Sequence, residues 1–214
     1  MQIKNAISQS LTILGLLCLL FQAGCAGTGS KIWVRQEVYT PQLDRQLQIY
    51  KGTSVYLNSF TNRAENTSIF YYYSPDGKMK YEGAPTIASY LWYSFRKALL
   101  SVGMRVYEDA APLDVPEVLM TFTSLTDQQF VFNIEVLKEK QLAYSKQCTV
   151  TAQPPTSMEP TALEQRAYKL IDSAVSAMLF DKGFQNAILG EIKSPAQTSS
   201  IKNKKSRKKQ QPAD

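Results

Sequence analysis

Histidine is missing from the whole 214-residue sequence. Because histidine is the commonest general base and the commonest metal ligand, its absence excludes a Ser-His or Cys-His catalytic relay within this chain. A glycine-rich phosphate loop is also missing, and the acidic residues Glu108, Asp109 and Asp114 have no nucleophile or metal-ligand spacing beside them. We interpret these acidic residues as a solvated loop. We therefore expect no catalytic residues, no metal site and no cofactor, and a protein that is not an enzyme.

The N-terminus combines the basic residue Lys4, an apolar stretch from Leu11 to Phe21 and a tripeptide of small residues, Ala23-Gly24-Cys25. This order is typical of a secretory signal, and the tripeptide resembles the lipobox of bacterial lipoproteins. The resemblance implies that residues 1–24 are a signal peptide and that Cys25 becomes the acylated first residue of the mature protein. Lipid in a membrane is then the first expected partner.

Two other interpretations of the N-terminus remain open. One is an uncleaved membrane anchor, although a spanning helix needs about 20 apolar residues and this run is shorter. The other is ordinary signal cleavage after Ala26. Because Ala26 is not the Asp that retains many enterobacterial lipoproteins at the inner membrane, the family rule favours a lipid-anchored protein on the periplasmic side of the outer membrane.

Cysteine is scarce, with three residues in the chain. Cys18 lies in the predicted signal peptide and Cys25 is the predicted lipid-attachment residue, so Cys148 has no intramolecular partner for a disulfide. We interpret Cys148 as a small buried residue in a strand, with a reactive or intermolecular thiol as the alternative.

The excess of positive charge lies at the C-terminus. Residues 26–190 contain 16 basic and 16 acidic residues, whereas residues 191–214 contain seven basic and two acidic ones. This last segment has no apolar periodicity, which is typical of a disordered tail. A secreted protein is not expected to meet nucleic acid, so the candidate target of the tail is anionic lipid or a cell-wall polymer. The alternative is a solvated tail that binds nothing specific. The residues expected to contact such a surface are Lys204, Lys205, Arg207, Lys208 and Lys209.

Between these termini, residue patterns predict the elements of one domain. Alternating or β-branched and aromatic residues predict strands over 47–50, 53–60, 69–73, 104–107, 115–125, 130–136 and 142–151. Helical spacing predicts amphipathic helices from Pro85 to Val102 and from Thr161 to Leu179, the second opened by a capping box of Thr161 and Glu164. We expect residues 25–46 to be a lipidated N-terminus and tether, and residues 47–190 to be the domain.

These elements predict an α/β (α+β) fold in the order β-α-β-β-β-β-α. The last three strands are most simply an antiparallel meander, and a parallel return after the first helix should cross over right-handed. Each helix has one apolar stripe. We therefore expect a single mixed, largely antiparallel sheet with both helices packed on one face.

Part of this pattern can be matched to a known family. The matching residues are Pro41, Leu43-Asp44-Arg45, Gln48-Ile49-Tyr50, Phe70 to Tyr73, Leu91, Phe95, Leu99 and the meander from Val118 to Val150. Behind a lipobox, this order resembles the small envelope lipoproteins that accompany ABC-type transporters, the PqiC-like group, and is similar in outline to YajG-type lipoproteins. A long polar insert before the aromatic segment departs from the family pattern.

The resemblance implies a non-enzymatic auxiliary component of an ABC-type lipid or solute transport system. Its partners would be transporter or substrate-binding subunits in the cell envelope. The alternative is a regulatory outer-membrane lipoprotein that activates a cell-wall synthase or stabilises another envelope complex. Genes for an ATPase and a permease beside this one would favour the first function, and glycan binding by the tail would favour the second.

Tyr71, Tyr72 and Tyr73 are the candidate partner-binding residues. Tyrosine is enriched at interfaces because it combines apolar area with a polar tip. Alternation along a strand should place Tyr71 and Tyr73 on the face opposite Tyr72. One face should therefore pack on the domain while the other is available to a partner.

Overall fold

The folded domain begins with a strand and ends with a short helix. The computed structural model describes residues 30–110 and 112–190. The strands are β1 (Ser30–Val34), β2 (Ser54–Leu57), β3 (Thr61–Asn62), β4 (Tyr71–Tyr73), β5 (Met79–Gly83), β6 (Arg105–Tyr107), β7 (Glu117–Leu125), β8 (Gln129–Lys138) and β9 (Gln141–Thr151). The helices are α1 (Ile87–Ser101), α2 (Pro160–Leu179), α3 (Lys182–Leu189) and a 3-10 helix, Arg45–Tyr50. The signal peptide, Cys25 and the basic tail with Lys204, Lys205, Arg207, Lys208 and Lys209 lie outside the described residues.

Six strands form a large sheet in the order β6-β2-β7-β8-β9, with β3 beside β7. Strands β7, β8 and β9 pair as an antiparallel meander, as the sequence predicts. Strand β2 pairs in parallel with β6, the strand that returns after α1. The mixed α/β class of the fold is therefore as predicted.

The core lies between the large sheet and the helices, and aromatic side chains fill it. Phe122, Phe130 and Phe132 are fully buried on the inner face of the meander. Phe95 of α1 meets Phe130 and Phe132 with ring centroids 6.5 and 6.2 Å away. Helix α2 contacts β8 and β9. Across the described ranges, none of the helices is both long and apolar enough to cross a membrane.

A second, three-stranded sheet corrects the expectation of a single sheet. This small sheet has the order β1-β5-β4, with β1 parallel and β4 antiparallel to β5. Its first strand comes from the segment expected to be a tether, so that expectation is corrected for residues 30–46, which belong to the folded domain. The pairing of β1 with β5 joins segments far apart in sequence, and local periodicity does not reveal such a pairing.

Residues 47–50 are not a strand, contrary to the prediction. They end the 3-10 helix, which Asp44 caps by accepting a hydrogen bond from the backbone N–H of Gln46 at 2.8 Å. Leu47 and Tyr50 are buried, whereas Ile49 is exposed. A separation of three residues between buried positions matches the three residues per turn of a 3-10 helix.

The predicted capping box at the start of α2 is also wrong. The helix begins at Pro160 with Glu159 at the N-cap, and no side chain caps it. Pro suits the first helical turn because the backbone N–H that it lacks has no helical acceptor there. Glu164 instead bonds Arg35, just after β1, so tertiary contact has replaced local capping.

Candidate functional site

Strand β4 separates its three tyrosines as the strand period predicts. Tyr72 is 2% exposed and its ring stacks on that of Tyr81, with centroids 4.9 Å apart and an interplanar angle of 3°. Tyr73 is 41% exposed and Tyr71 is half-buried. The inward residue is therefore part of the core, and the two outward residues lie on the other side of the small sheet.

The outward side chains of the small sheet form a surface that we call the aromatic face. The pairing register of β1, β5 and β4 arranges it in two rows across the sheet. The first row is Lys31, Lys80 and Tyr73, and the second row is Trp33, Glu82 and Tyr71. Trp33 is 53% exposed, so the widest aromatic surface on this face is open to solvent.

Glu82 links the two lysines at the centre of the aromatic face. Its carboxylate oxygens lie 2.6 Å from the Nζ of Lys31 and 2.8 Å from the Nζ of Lys80. Hydrogen bonds from Lys31 and then Lys80 lower the pKa of Glu82, and the bond to Glu82 raises the pKa of Lys80. The centre of the face therefore holds two lysine side chains against one carboxylate.

Each lysine also lies over an aromatic ring. The Nζ of Lys31 is 3.9 Å from the ring centroid of Trp33, and the Nζ of Lys80 is 4.0 Å from that of Tyr71. The Tyr71 and Tyr73 rings meet edge to face, 5.3 Å apart. These cation–π and aromatic contacts order the rings before any ligand arrives, which lowers the entropy lost on binding.

Ile69 and Phe70 extend the apolar surface beside the aromatic face. Both side chains are exposed. Their backbone is fixed, because the carbonyl of Phe70 accepts from the N–H of Gly83 at 3.1 Å and that of Ile69 accepts from Ile87 at 2.8 Å. Exposed apolar side chains on a fixed backbone are typical of a binding surface rather than of a fraying loop.

Sequence reasoning found the tyrosines of the aromatic face but missed Lys31 and Trp33. These residues lie on β1, in the segment expected to be a tether. Ile32, Trp33 and Val34 are β-branched or aromatic, which is a strand signal in the sequence. In the structure Ile32 and Val34 are buried and Trp33 is exposed. Only the pairing with β5 brings Trp33 beside Glu82.

A partly buried ion pair attaches β1 to helix α2. Arg35, which follows β1, donates from Nε and Nη2 to the two carboxylate oxygens of Glu164 at 2.9 and 2.8 Å. The hydroxyl of Tyr168 donates to the same carboxylate at 2.5 Å. Burial raises the pKa of Glu164, but the bonds from Arg35 and Tyr168 outweigh burial and lower it overall. The charged carboxylate of Glu164 therefore connects the end of β1 to α2.

A second buried carboxylate lies between the two sheets. Asp127, in the turn between β7 and β8, is 0% exposed and accepts from the hydroxyl of Tyr81 at 3.1 Å. The Nε of Arg166 is 3.8 Å from the same oxygen. Burial raises the pKa of Asp127 despite these two neighbours. Asp127 is thus a structural group and lies away from the surface.

A cleft beside helix α1 has aromatic walls. Its volume is about 320 Å³, and its lining includes Phe60, Trp92 and Tyr93, with Glu108 and Asp109 also contributing. The indole N–H of Trp92 donates to the carbonyls of Leu57 and Asn58 at 3.2 and 3.0 Å. Arg96 pairs with Glu108. The acidic loop of the sequence analysis therefore borders a cleft.

Cys148 lies on β9, buried and free, and burial raises the pKa of its thiol. The interpretation of Cys148 as a buried strand residue is confirmed. No group of three His, Cys, Asp or Glu that could hold a metal ion occurs within residues 30–110 and 112–190.

Comparison with known proteins identifies a shared fold. No family model matches the sequence, and no curated protein matches it. The crystal structure of protein XCC0632 from Xanthomonas campestris, with the family designation DUF330, aligns with a TM-score of 0.53 at 10% identity, over 71% of this chain and 93% of that chain. The two chains share a fold. A second structure, of an uncharacterised protein, aligns with a TM-score of 0.45 at 10% identity, over 70% of this chain and 97% of that chain, too weakly to support an argument.

Proposed function

We propose that this protein is a lipid-anchored, non-enzymatic auxiliary component of an ABC-type lipid or solute transport system in the cell envelope. The lipobox-like tripeptide ending at Cys25 supports the anchor, and the family resemblance of the sequence supports the transport role. The observation that carries the proposal is the aromatic face. It offers exposed rings in fixed positions on the surface of a domain that is otherwise neutral in charge.

The chemistry of the aromatic face suits a protein partner. Trp and Tyr contribute most where they are covered at the centre of an interface, because each removes a large apolar area from water. Trp33, Tyr71 and Tyr73 are already ordered by Lys31 and Lys80. The net positive charge of the face favours a partner surface that carries acidic groups around an apolar centre.

The docking role is tested by substitution on the outward side. Trp33→Ala and Tyr71→Ala should weaken co-purification with the permease or substrate-binding subunits of the proposed transport system, and the melting temperature should change little. The matched control is Tyr93→Ala, which removes a similarly exposed tyrosine from helix α1. Equal loss of capture in all three variants, or no loss in any, would contradict docking on the aromatic face.

The anchor is tested separately. Growing cells with a palmitate analogue should label the wild-type protein, and Cys25→Ala should abolish the label. The unaltered protein should fractionate with the outer membrane. Persistent label on the variant, or a mature wild-type protein free in the periplasm, would refute lipid attachment at Cys25.

The basic residues of the C-terminal tail are the observation that favours the second function, regulation of a cell-wall synthase. Replacing Lys204, Lys205, Arg207, Lys208 and Lys209 by Gln should then reduce sedimentation with purified cell-wall polymer. Retention of normal transport by that variant would leave the aromatic face as the functional surface.

A further inference from the structure

The start of β1 is close to the proposed anchor along the chain. Ser30 follows Cys25 by five residues. A chain of five residues spans at most about 18 Å even when fully extended. Attachment of lipid to Cys25 therefore holds the N-terminal end of β1 next to the bilayer, whatever path the intervening residues take.

The strand register shows what else lies at that end of the small sheet. Ser30 pairs with Met79 at the start of β5, and Tyr73 at the end of β4 pairs with Lys80. The turn of residues 74–78 between β4 and β5 therefore lies beside Ser30. This turn is closed by hydrogen bonds from the N–H of Gly77 to the carbonyl of Ser74 and from the N–H of Ser74 to the carbonyl of Met79.

The side chains at this end have the chemistry of a bilayer interface. Lys31, Tyr73 and Lys78 are all exposed, and the side chain of Lys78 is the most exposed of the three. Tyrosine is enriched at the head-group level of membranes, and lysine keeps its ammonium group in the head-group layer while its methylenes lie against apolar surface. Lys78 pairs with Asp76 at 3.4 Å and Lys31 pairs with Glu82 at 2.6 Å, so this end has a small excess of basic side chains and anionic lipid adds only a modest attraction.

The two ends of the large sheet differ in their distance from the small sheet. Its β7–β8 turn is joined to the small sheet by the bond between Tyr81 and Asp127. From that turn, β8 runs for ten residues to the β8–β9 hairpin. An antiparallel strand rises about 3.4 Å per residue, so the hairpin is about 30 Å from the β7–β8 turn. Gln141, exposed at the start of β9, marks this distant end.

We propose that the domain stands on the membrane on the end of the small sheet, with Lys31, Tyr73 and Lys78 against the lipid head groups and the β8–β9 hairpin pointing away. The inference rests on the proposed anchor at Cys25. It places Trp33 and Tyr71, the second row of the aromatic face, just above the head groups. A partner that covers them is therefore a protein held at the same membrane.

The experiment uses the full lipidated chain in vesicles of phosphatidylethanolamine and phosphatidylglycerol that carry a nitroxide on some head groups. A fluorophore is attached to Lys78→Cys or, as the matched control, to Gln141→Cys. The unaltered chain, in which Cys148 is buried, gives the background labelling. We expect the nitroxide to quench the fluorophore at position 78 several-fold more than the one at position 141. A flexible Gly/Ser insert between Thr28 and Gly29 should leave this difference, because contacts of Lys31, Tyr73 and Lys78 with the head groups hold the small sheet there. Loss of the difference on insertion would overturn those contacts.

Each outcome has a defined meaning. Equal quenching at both positions, or stronger quenching at position 141, overturns the orientation while the anchor stands. A lipidated chain that fails to float with the vesicles overturns the anchor itself. A difference that is unchanged by the insert shows that side-chain contacts rather than tether length hold the small sheet at the membrane, and it supports the proposed contact surface.

Discussion

The two sheets are attached to the rest of the domain by different chemistry. The large sheet packs on the helices through apolar aromatic side chains, with Phe95, Phe130 and Phe132 at the centre. The small sheet also buries apolar side chains in the core, among them Ile32, Val34 and Tyr72, but it is joined to α2 and to the large sheet by two buried carboxylates in addition, those of Glu164 and Asp127. Apolar packing is insensitive to pH, whereas each carboxylate makes the attachment of the small sheet depend on its protonation.

This difference separates the framework of the fold from the surface that we propose to be functional. Burial of large rings supplies most of the stability of a domain. Buried charges supply little net stability, but they fix geometry because each needs a specific partner. The aromatic face lies on the sheet that is fixed in this second way. Substitutions in the framework should therefore cost more stability than substitutions in the small sheet and its attachments.

The largest loss of stability is expected for Phe132→Ala, on the inner face of the large sheet. Removing a fully buried ring that touches Phe95 and Phe130 leaves a cavity, and we expect a loss of about 4 kcal/mol in the free energy of unfolding. Glu135→Ala, on the exposed face of the same strand, is the control and should change stability by less than about 0.5 kcal/mol. Urea unfolding followed by circular dichroism measures both. Similar losses in the two variants would show that the aromatic cluster does not dominate the core.

The second effect compares neighbouring residues of the small sheet. Tyr72→Ala removes a buried ring stacked on Tyr81 and should lower the free energy of unfolding by about 3 kcal/mol. Tyr73→Ala removes an exposed ring and should lower it by less than about 1 kcal/mol. Equal destabilisation by the two substitutions would show that both rings are core residues, and the partner-binding surface would have to lie elsewhere.

The same contrast explains what could be predicted from sequence. Strands β7 to β9 are long and consecutive, so alternation along Phe130, Phe132 and Ile134 predicts both the strands and their antiparallel order. Strand β1 has five residues, and its partner β5 follows after the 3-10 helix and three other strands. No local feature of the sequence Ser30–Val34 identifies β5 as its pairing partner.

The candidate site divides in the same way. The orientations of Tyr71, Tyr72 and Tyr73 follow from the strand period alone and were predicted. The positions of Lys31 and Trp33 on the same face follow from long-range pairing and were not. The prediction of a capping box was wrong for a related reason. Glu164 binds Arg35, which is far away in sequence, instead of the start of its own helix.

A smaller effect is expected where α2 holds the end of β1. Glu164→Gln keeps the shape of the side chain but removes the charge that accepts from Arg35 and Tyr168. Because the Arg35 side chain is half exposed, we expect a loss of about 1 to 2 kcal/mol rather than the full value for a buried ion pair. Glu159→Gln, at the uncapped start of α2, is the control and should be nearly neutral. A neutral Glu164→Gln would show that shape alone attaches β1.

The smallest effect is a difference in pH dependence between the two carboxylates that attach the small sheet. The pKa of Asp127 is raised above its usual 3.8 by burial, so the folded state holds this proton more tightly than the unfolded state, and stability is lost as the pH rises from 3.8 through the folded pKa. The pKa of Glu164 is lowered below its usual 4.5, so its contribution is present above pH 4.5 and is lost as the pH falls through the folded pKa. The free energy of unfolding should be measured between about pH 3 and 7 for the unaltered protein and for both variants. Asp127→Asn should remove a contribution that decreases as the pH rises, and Glu164→Gln should remove a contribution that increases as the pH rises. If the two substitutions change the pH dependence of the unfolding free energy in the same direction, relative to the unaltered protein, the opposite environments of these carboxylates are contradicted.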